Sequence, residues 1–257
     1  PVIFYFSATG NSQSAAEQIA SALDSKIISI GLALRDGHFD FDISGDDYLG
    51  FVIPTFAYTL PAPVAMFIEK LNLTGYAAQH VFGVLTCGAG SGDEGAALTT
   101  ALKNKGIGYN GSFEVVMPDN FILWSDLPSE KTLNAQLASA RKTVDGIIAK
   151  LKNKENGRIT DKAPRMPFMP AETVSTAAGT SKMRVTDKCV GCGKCAELCP
   201  MGCISIKDGA PVWEGSCSMC LACLHHCPAG AVEYENQTLG KKRYVNPDCK
   251  EQAENKY

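Results

Sequence analysis

The sequence predicts an α/β domain built on a doubly wound parallel sheet, followed by a small, cysteine-rich α+β domain. Over residues 1–152, short apolar runs alternate with amphipathic helical patterns, which is typical of the strands and helices of a parallel sheet. Ten of the 11 cysteines come after residue 188, so the second part is organised around sulfur. We expect a linker at 153–183, for which wrapping across the first domain is one option, the second domain at 184–247 and a tail at 248–257.

Strands and helices alternate throughout the first domain. Residues 2–6 form an uninterrupted β-branched and aromatic run, as expected of a strand covered on both faces. Ser129 is expected to cap a long last helix, in which apolar side chains recur every three or four residues from Leu133 to Leu151. Further strands are expected at 26–30, 49–53, 81–85 and 113–117, and further helices after residue 12 and at 63–71 and 94–105.

Three polar loops, at 7–12, 54–59 and 86–93, follow predicted strands. In doubly wound sheets, ligands bind beyond the carboxyl ends of the strands. The first loop offers the hydroxyls of Ser7, Thr9 and Ser12 and a helix N-terminus to an anion such as phosphate. It lacks the G-K-[ST] of a nucleoside triphosphate site and the G-x-G-x-x-G of a dinucleotide site. The alternative is a turn that only caps the helix.

The cysteines of the second domain repeat one spacing pattern. Each copy reads C-x2-C-x2-C-x3-C-P, and the copies are 28 residues apart, as from Cys189 to Cys217. In this bacterial pattern three thiolates converge on one [4Fe–4S] cluster and the fourth reaches the other cluster. The expected ligands are Cys189, Cys192, Cys195 and Cys227 at the first cluster site, and Cys217, Cys220, Cys223 and Cys199 at the second.

Two other uses of clustered cysteine do not match this pattern. Zinc sites use pairs of cysteines with longer gaps and four ligands for one ion. Disulfide frameworks are typical of small secreted domains, and this chain has 257 residues. The sequence therefore predicts two [4Fe–4S] clusters.

Charge and hydropathy limit the binding partners and the cellular compartment that we expect for the protein. The net charge is −3, which gives no indication of nucleic acid or a membrane surface as a partner. The first residues are too few for a signal peptide, and no apolar run approaches the ~20 residues that span a bilayer. We expect a cytoplasmic protein, where thiolates stay reduced, that exchanges electrons with another redox protein.

The chain as a whole resembles the fused flavodoxin–ferredoxin family, in which a flavodoxin-like domain precedes a ferredoxin domain with two [4Fe–4S] clusters. The resemblance covers residues 2–232. It implies FMN as a further cofactor, the strand order 2-1-3-4-5, and electron transfer between flavin and clusters. The motifs that carry it are Ser7-Ala8-Thr9-Gly10-Asn11, Gly90-Ser91-Gly92-Asp93 and the eight ligand cysteines.

The resemblance also implies which residues hold the flavin. The phosphate would be bound by Ser7, Thr9, Gly10, Asn11 and Ser12. The ring system and ribityl chain would lie against Pro54, Thr55, Phe56, Ala57, Tyr58, Thr86, Cys87, Gly88, Ala89, Gly90 and Asp93.

The third loop departs from the family pattern because residues 86–93 contain no aromatic side chain. Phe56, Tyr58 and Trp124 are the candidates to cover one flavin face, and ordinary core packing is the alternative for each. We expect the other face to be open to a cluster or a substrate.

Several other reactive side chains are expected to be structural. Cys203 stands where the second repeat has Ala231, so we expect a small buried residue and no ninth ligand. Cys87 is likewise expected to pack, and no partner is indicated for Cys249. His225 and His226 are expected at the surface; tuning of the cluster potential through hydrogen bonds or proton uptake is the alternative. A solvated run is expected at Lys241-Lys242-Arg243.

Two functions remain open from the sequence. The first is an electron carrier that relays electrons between FMN and two [4Fe–4S] clusters. The second is an FMN-dependent reductase of a small molecule or bound cofactor, whose clusters feed the flavin. The two functions require different surroundings of the flavin. A carrier needs only a surface for another protein, whereas a reductase needs a pocket with polar groups directed at a substrate.

Overall fold

The computed structural model describes residues 1–158 and 180–249. Five parallel strands form its main sheet: Val2–Tyr5 (β1), Lys26–Ser29 (β2), Tyr48–Pro54 (β4), His80–Cys87 (β6) and Ser112–Val116 (β7). They lie in the order β2-β1-β4-β6-β7, which is 2-1-3-4-5 when these five are counted along the chain. The predicted doubly wound sheet and its strand order are confirmed.

Helices cover both faces of this sheet: Asn11–Leu23 (α1), Ile30–Asp36 (α2), Ala62–Lys70 (α3), Glu94–Asn104 (α4) and Glu130–Lys152 (α5). Neighbouring residues of a strand point to opposite faces. Phe4 therefore joins a core with α2, α3 and α4, while Ile3 joins a core with α1 and α5. The carboxyl ends of β1, β4 and β6 carry the three polar loops to one edge of the sheet.

Three short elements of the first domain lie outside the sequence predictions. Ile30 begins α2 and does not end β2, because Ser29 Oγ accepts the N–H of Leu32 at 3.3 Å and caps the helix. A separate parallel pair is formed by Asp40–Asp42 (β3) and Asn72–Thr74 (β5). Strands of three residues are too short to show a period in the sequence.

The small domain is built from two antiparallel pairs. Met183–Val185 (β8) pairs with Val232–Tyr234 (β11), and Ile204–Lys207 (β9) pairs with Ala210–Trp213 (β10). One helical turn follows the second cysteine of each motif, at Lys194–Glu197 (α6) and at Ala222–His225 (α7). These turns repeat the 28-residue offset of the cysteines.

The two domains share side chains in one core. The segment between β7 and α5 contributes Ile122, which is 1% exposed and packs with Leu224 and Val232 of the small domain. Arg158 pairs through its backbone with Ser112 of β7.

Most of the predicted linker at 153–183 and of the tail at 248–257 lies outside the described residues, so the domain boundaries stay predictions. In the parts of the chain that the structure describes, no helix is long and apolar enough to cross a membrane.

Candidate cofactor sites

The four thiols of the second cluster site surround one cavity. Cys199, Cys217, Cys220 and Cys223 line the same cavity, which is partly open to solvent. A [4Fe–4S] cluster takes one thiolate on each iron, so its four ligands stay further apart than the ligands of a single ion. Within residues 1–158 and 180–249, no three His, Cys, Asp or Glu side chains are arranged to hold a single ion.

The first cluster site lies nearer to solvent. Burial, followed by the charges of Cys227 and Cys192, raises the pKa of Cys195, so these three thiols are close enough to interact. Cys192 is exposed, and its neighbour Val190 is 71% exposed. Cys189 is held in the same turn, where its N–H donates to the carbonyl oxygen of Thr186 at 3.1 Å.

The two cysteine turns have the same backbone with different residues. In the first turn Gly191 and Gly193 have φ of 66° and 75°; in the second, Met219 and Leu221 stand at the equivalent positions with φ of 54° and 60°. Left-handed backbone costs a residue with a side chain roughly 1–2 kcal/mol. Met219 and Leu221 are 7% and 3% exposed, so their side chains enclose the second site while the glycines leave the first uncovered.

Cys203 lies inside the second cluster site. It is buried, as expected, but its Sγ is 3.5 Å from Cys199 Sγ and it lines the same cavity. This contact lowers the pKa of Cys199, and a thiolate is the form that binds a metal. The assignment of Cys203 as a packed residue, and of the eight other cysteines as ligands, stays a prediction.

The first polar loop is buried at the edge of the sheet. Gly10 has φ of 94° and its N–H donates to Ser7 Oγ at 3.0 Å, which leads the chain directly into α1. Thr9 Oγ1 accepts a hydrogen bond from Asn120 Nδ2, and Ser12 Oγ lies 2.8 Å from Thr86 Oγ1 in the third loop. Because Ser7 and Thr9 accept hydrogen bonds, their own hydroxyl protons can still be donated to an anion.

The second and third loops contact one another. The N–H of Asp93 donates to the carbonyl oxygen of Tyr58 at 2.9 Å, and a Cβ at Gly92 would lie 2.6 Å from Tyr58 Cβ. The Thr55 hydroxyl donates to the carboxylate of Glu94. Glu94 is fully buried, its Oε1 has no hydrogen-bond partner, and burial raises its pKa well above the usual range. Thr59 Oγ1 is also buried without a partner.

The candidate aromatic side chains occupy different surroundings. Phe56 packs edge to face against Phe6 at 6.1 Å, whereas Tyr58 and Trp124 are 58% and 84% exposed. Cys87 is buried, and burial raises its pKa to about 12, which keeps the unreactive thiol form. The open flavin face stays a prediction.

The prediction that His225 and His226 lie at the surface is wrong for His225, whereas His226 is half-buried. His225 is 4% exposed; its Nε2 donates to the carbonyl oxygen of Asn120 at 2.9 Å and its Nδ1 accepts from the N–H of Tyr244 at 3.1 Å. His226 Nε2 lies 3.0 Å from the carbonyl oxygen of Ala8. Burial lowers the pKa of His225 to about 4. His226 therefore connects the second cysteine motif to the first polar loop, and His225 connects it to Asn120 and Tyr244.

Two residues of the basic run after the second motif, Lys241 and Arg243, are partly buried at this junction. Lys241 Nζ donates to the carbonyl oxygen of Ile122 at 2.8 Å, and the guanidinium of Arg243 pairs with Glu233 at 2.7 Å. The prediction of a solvated run is therefore wrong for Lys241 and Arg243. Beyond them, residues 244–249 cross the first polar loop, and Cys249 Sγ lies beside Gly10.

Sequence reasoning missed Asn120, Tyr244 and Asn246 as residues of this edge. Each is a polar residue in an irregular segment, and each contacts partners more than 100 residues away in the sequence. No periodicity marks such residues, so a single sequence contains no signal for them.

Comparison with known proteins supports the second domain directly. Residues 188–232 match the family described as a 4Fe-4S dicluster domain. The chain is 31% identical over 91 residues to an uncharacterized ferredoxin of Methanocaldococcus jannaschii, covering 30% of this chain and 60% of that protein. It is 26% identical over 80 residues to a component of the F(420)H(2) dehydrogenase of Methanosarcina mazei, covering 26% of this chain and 23% of that protein. The chain thus spans less than two thirds of either relative.

Among solved structures, the two-electron reduced flavodoxin of Megasphaera elsdenii is similar at 19% identity and a TM-score of 0.37, covering 58% of this chain and 99% of that one. The fold assignment comes from the observed strand order, which is that of flavodoxin-like sheets. The protein is a fusion of a flavodoxin-like α/β domain with a 4Fe–4S dicluster domain.

Proposed function

We propose that the protein is an electron-transfer flavo-iron–sulfur protein that relays electrons between FMN and two [4Fe–4S] clusters. One observation carries the proposal: the polar loop at the sheet edge and the second cysteine motif are in direct contact. His226, which precedes the ligand candidate Cys227, is hydrogen-bonded to Ala8 within that loop. Cofactors bound in the two places would be close neighbours, as electron transfer requires.

The first loop has the donors that a flavin phosphate requires. The hydroxyls of Ser7 and Thr9 keep a proton to donate, and the first turn of α1 has no acidic side chain and no side-chain cap. A helix N-terminus of this kind attracts an anion. The unpartnered oxygens of Thr59 and Glu94 lie on the loops where the ring system would bind. The residues present therefore fit FMN.

Each group has a separate part in this proposal. Flavin supplies an exchange of one or two electrons, and each cluster passes one. Ser7, Thr9 and Ser12 would bind the phosphate, and the loops at 54–59 and 86–93 would orient the ring. The four-cysteine sets assigned from the spacing would hold the clusters. Met219 and Leu221 would keep water from the second cluster.

A reductase is the second candidate, and Glu94 favours it. A fully buried carboxyl with a raised pKa holds a proton at the flavin loops, and reduction of a small molecule consumes protons. In either case the physiological partner is proposed to be a redox protein. The reducing cytoplasm is the proposed compartment, because cluster ligands must stay reduced.

The proposal is tested by anaerobic purification followed by iron, sulfide and flavin analysis. About eight irons and one FMN per chain are expected, because each cubane contains four irons. Zinc, or fewer than about four irons, would overturn the cluster assignment, and absence of flavin would overturn the relay. Rapid mixing of the reduced protein with small oxidants and with oxidised ferredoxin then separates reductase from carrier.

A further inference from the structure

Residues 244–249, here called the strap, lie across the first polar loop. The N–H of Asn246 donates to the carbonyl oxygen of Thr9 at 2.7 Å. The Tyr244 hydroxyl donates to Asn11 Oδ1 at 2.7 Å, and Asn246 Nδ2 donates to the same oxygen at 3.1 Å. The strap therefore binds Thr9 of the loop and Asn11, the first residue of α1, through three hydrogen bonds.

The Asn11 side chain is fixed at both ends of its amide. Its Oδ1 accepts the two bonds from the strap, and its Nδ2 donates to the carbonyl oxygen of Pro118 at 3.0 Å. Asn11 is 7% exposed and Asn246 is 2% exposed. Buried hydrogen bonds of this kind are costly to break, because each unpaired group has no water to replace its partner.

These contacts decide which polar atoms of the loop can meet a ligand. An anion is bound by N–H groups and hydroxyl protons and is repelled by carbonyl and amide oxygens. Because the strap takes up the oxygens of Thr9 and Asn11, those oxygens face protein. The N–H groups at the start of α1 are left with the anion-binding role.

The strap is itself anchored to both domains. The N–H of Tyr244 donates to His225 Nδ1 at 3.1 Å, and Asp248 forms an ion pair with Arg141 of α5. A Cβ at Gly10 would lie 2.5 Å from Cys249 Sγ, so the loop and the strap are in close contact. The conformation of the loop is thus coupled to the helix that carries Cys223.

We infer that Tyr244 and Asn246 are positioning residues for the phosphate of the bound flavin nucleotide. They act through Asn11 and Thr9 and do not themselves contact the phosphate. The inference rests on the proposed function, since it concerns the same FMN site. It makes a segment that follows the cluster domain a determinant of nucleotide affinity in the flavodoxin-like domain.

The test compares FMN with riboflavin, which lacks the phosphate. Tyr244→Phe, Asn246→Ala and the double variant are freed of flavin with their iron content verified, and dissociation constants are measured anaerobically from the quenching of flavin fluorescence. Each single variant is expected to bind FMN about two- to tenfold more weakly, the range for a lost hydrogen bond. Riboflavin affinity is expected to be unchanged. Val245→Ala, at a position between them that is 39% exposed, is the matched control.

Three results would overturn the inference while leaving the proposed function in place. FMN affinity equal to that of the wild type would show that the strap does not act on the loop. Equal weakening of FMN and riboflavin would show a general structural role. Tighter FMN binding would show that the strap excludes the nucleotide. Wild-type protein that binds neither flavin would instead overturn the proposed function.

Discussion

Glu94 has no contact with water and keeps one carboxyl oxygen without a partner. Burial raises its pKa, with a further contribution from the charge of Glu114, while the Thr55 hydrogen bond opposes the rise. The folded protein therefore binds a proton that the unfolded chain releases above its ordinary pKa of 4.5. The bound proton contributes to the free energy of unfolding. This contribution is complete below pH 4.5. As the pH rises from there towards the pKa of Glu94 in the folded protein, the free energy of unfolding falls by up to about 1.4 kcal/mol per pH unit.

We expect Glu94→Gln to flatten the pH dependence of stability, because the amide stays neutral and can still accept the Thr55 hydrogen bond. Urea midpoints measured anaerobically from pH 5 to 9 check this, with Glu69→Gln, at an exposed position of α3, as control. Parallel pH profiles for wild type and Glu94→Gln would contradict a proton held at Glu94.

Single cysteines test the two cluster sites. Cys203→Ala is expected to keep about eight irons per chain, because Cys203 is no ligand in the proposed assignment. Cys220→Ala, in the same cavity, is expected to lose the second cluster and retain about four irons. Iron and sulfide analysis of both variants shows which of the two cysteines is a cluster ligand. Equal losses in the two would show that Cys203 belongs to the ligand set.

At the scale of elements, the two cysteine turns differ in what covers them. Leu221→Ala keeps the left-handed residue but removes a side chain that is 3% exposed, which costs about 2–5 kcal/mol in a packed core. We expect oxygen to reach the second cluster several-fold faster, seen as faster loss of visible absorbance in air. Val190→Ala, at an exposed position of the first turn, is the control and is expected to lose its cluster absorbance at the wild-type rate. If Leu221→Ala also lost its absorbance at the wild-type rate, the Leu221 side chain would give the cluster no protection.

Elements also show what the sequence could predict. The long strands of the sheet are uninterrupted apolar runs and the helices have clear periodicity. The polar loops follow the strands, so the position of the candidate flavin site could be predicted. Helix α2 depends on a single cap at Ser29, and β3 has only one buried side chain, Phe41. The side chains of His225 and Lys241 are held by the carbonyl groups of residues 120 and 122. Such distant contacts leave no local pattern.

For the whole molecule, the shared core predicts that the two domains unfold together. Ile122 belongs to the first domain in sequence but packs among the side chains of the second. Ile122→Ala is expected to lower the free energy of unfolding by about 2–5 kcal/mol. The urea midpoints followed by the flavin signal and by the cluster signal are expected to fall by the same amount. Urea unfolding followed by flavin fluorescence and by cluster absorbance checks this. Ile206→Ala, on the outer hairpin and 39% exposed, is the control, and separated transitions would contradict coupling.

The strap also has a consequence for biosynthesis. Asn11 and Asn246 are 235 residues apart in the chain, so the ribosome makes the loop long before the segment that holds it. A nascent flavodoxin-like domain can complete its sheet early, yet Asn11 Oδ1 acquires these donors only after both cysteine motifs have been translated. Flavin acquisition would thereby follow synthesis of the cluster domain, and chains that terminate early would be poor acceptors of the nucleotide.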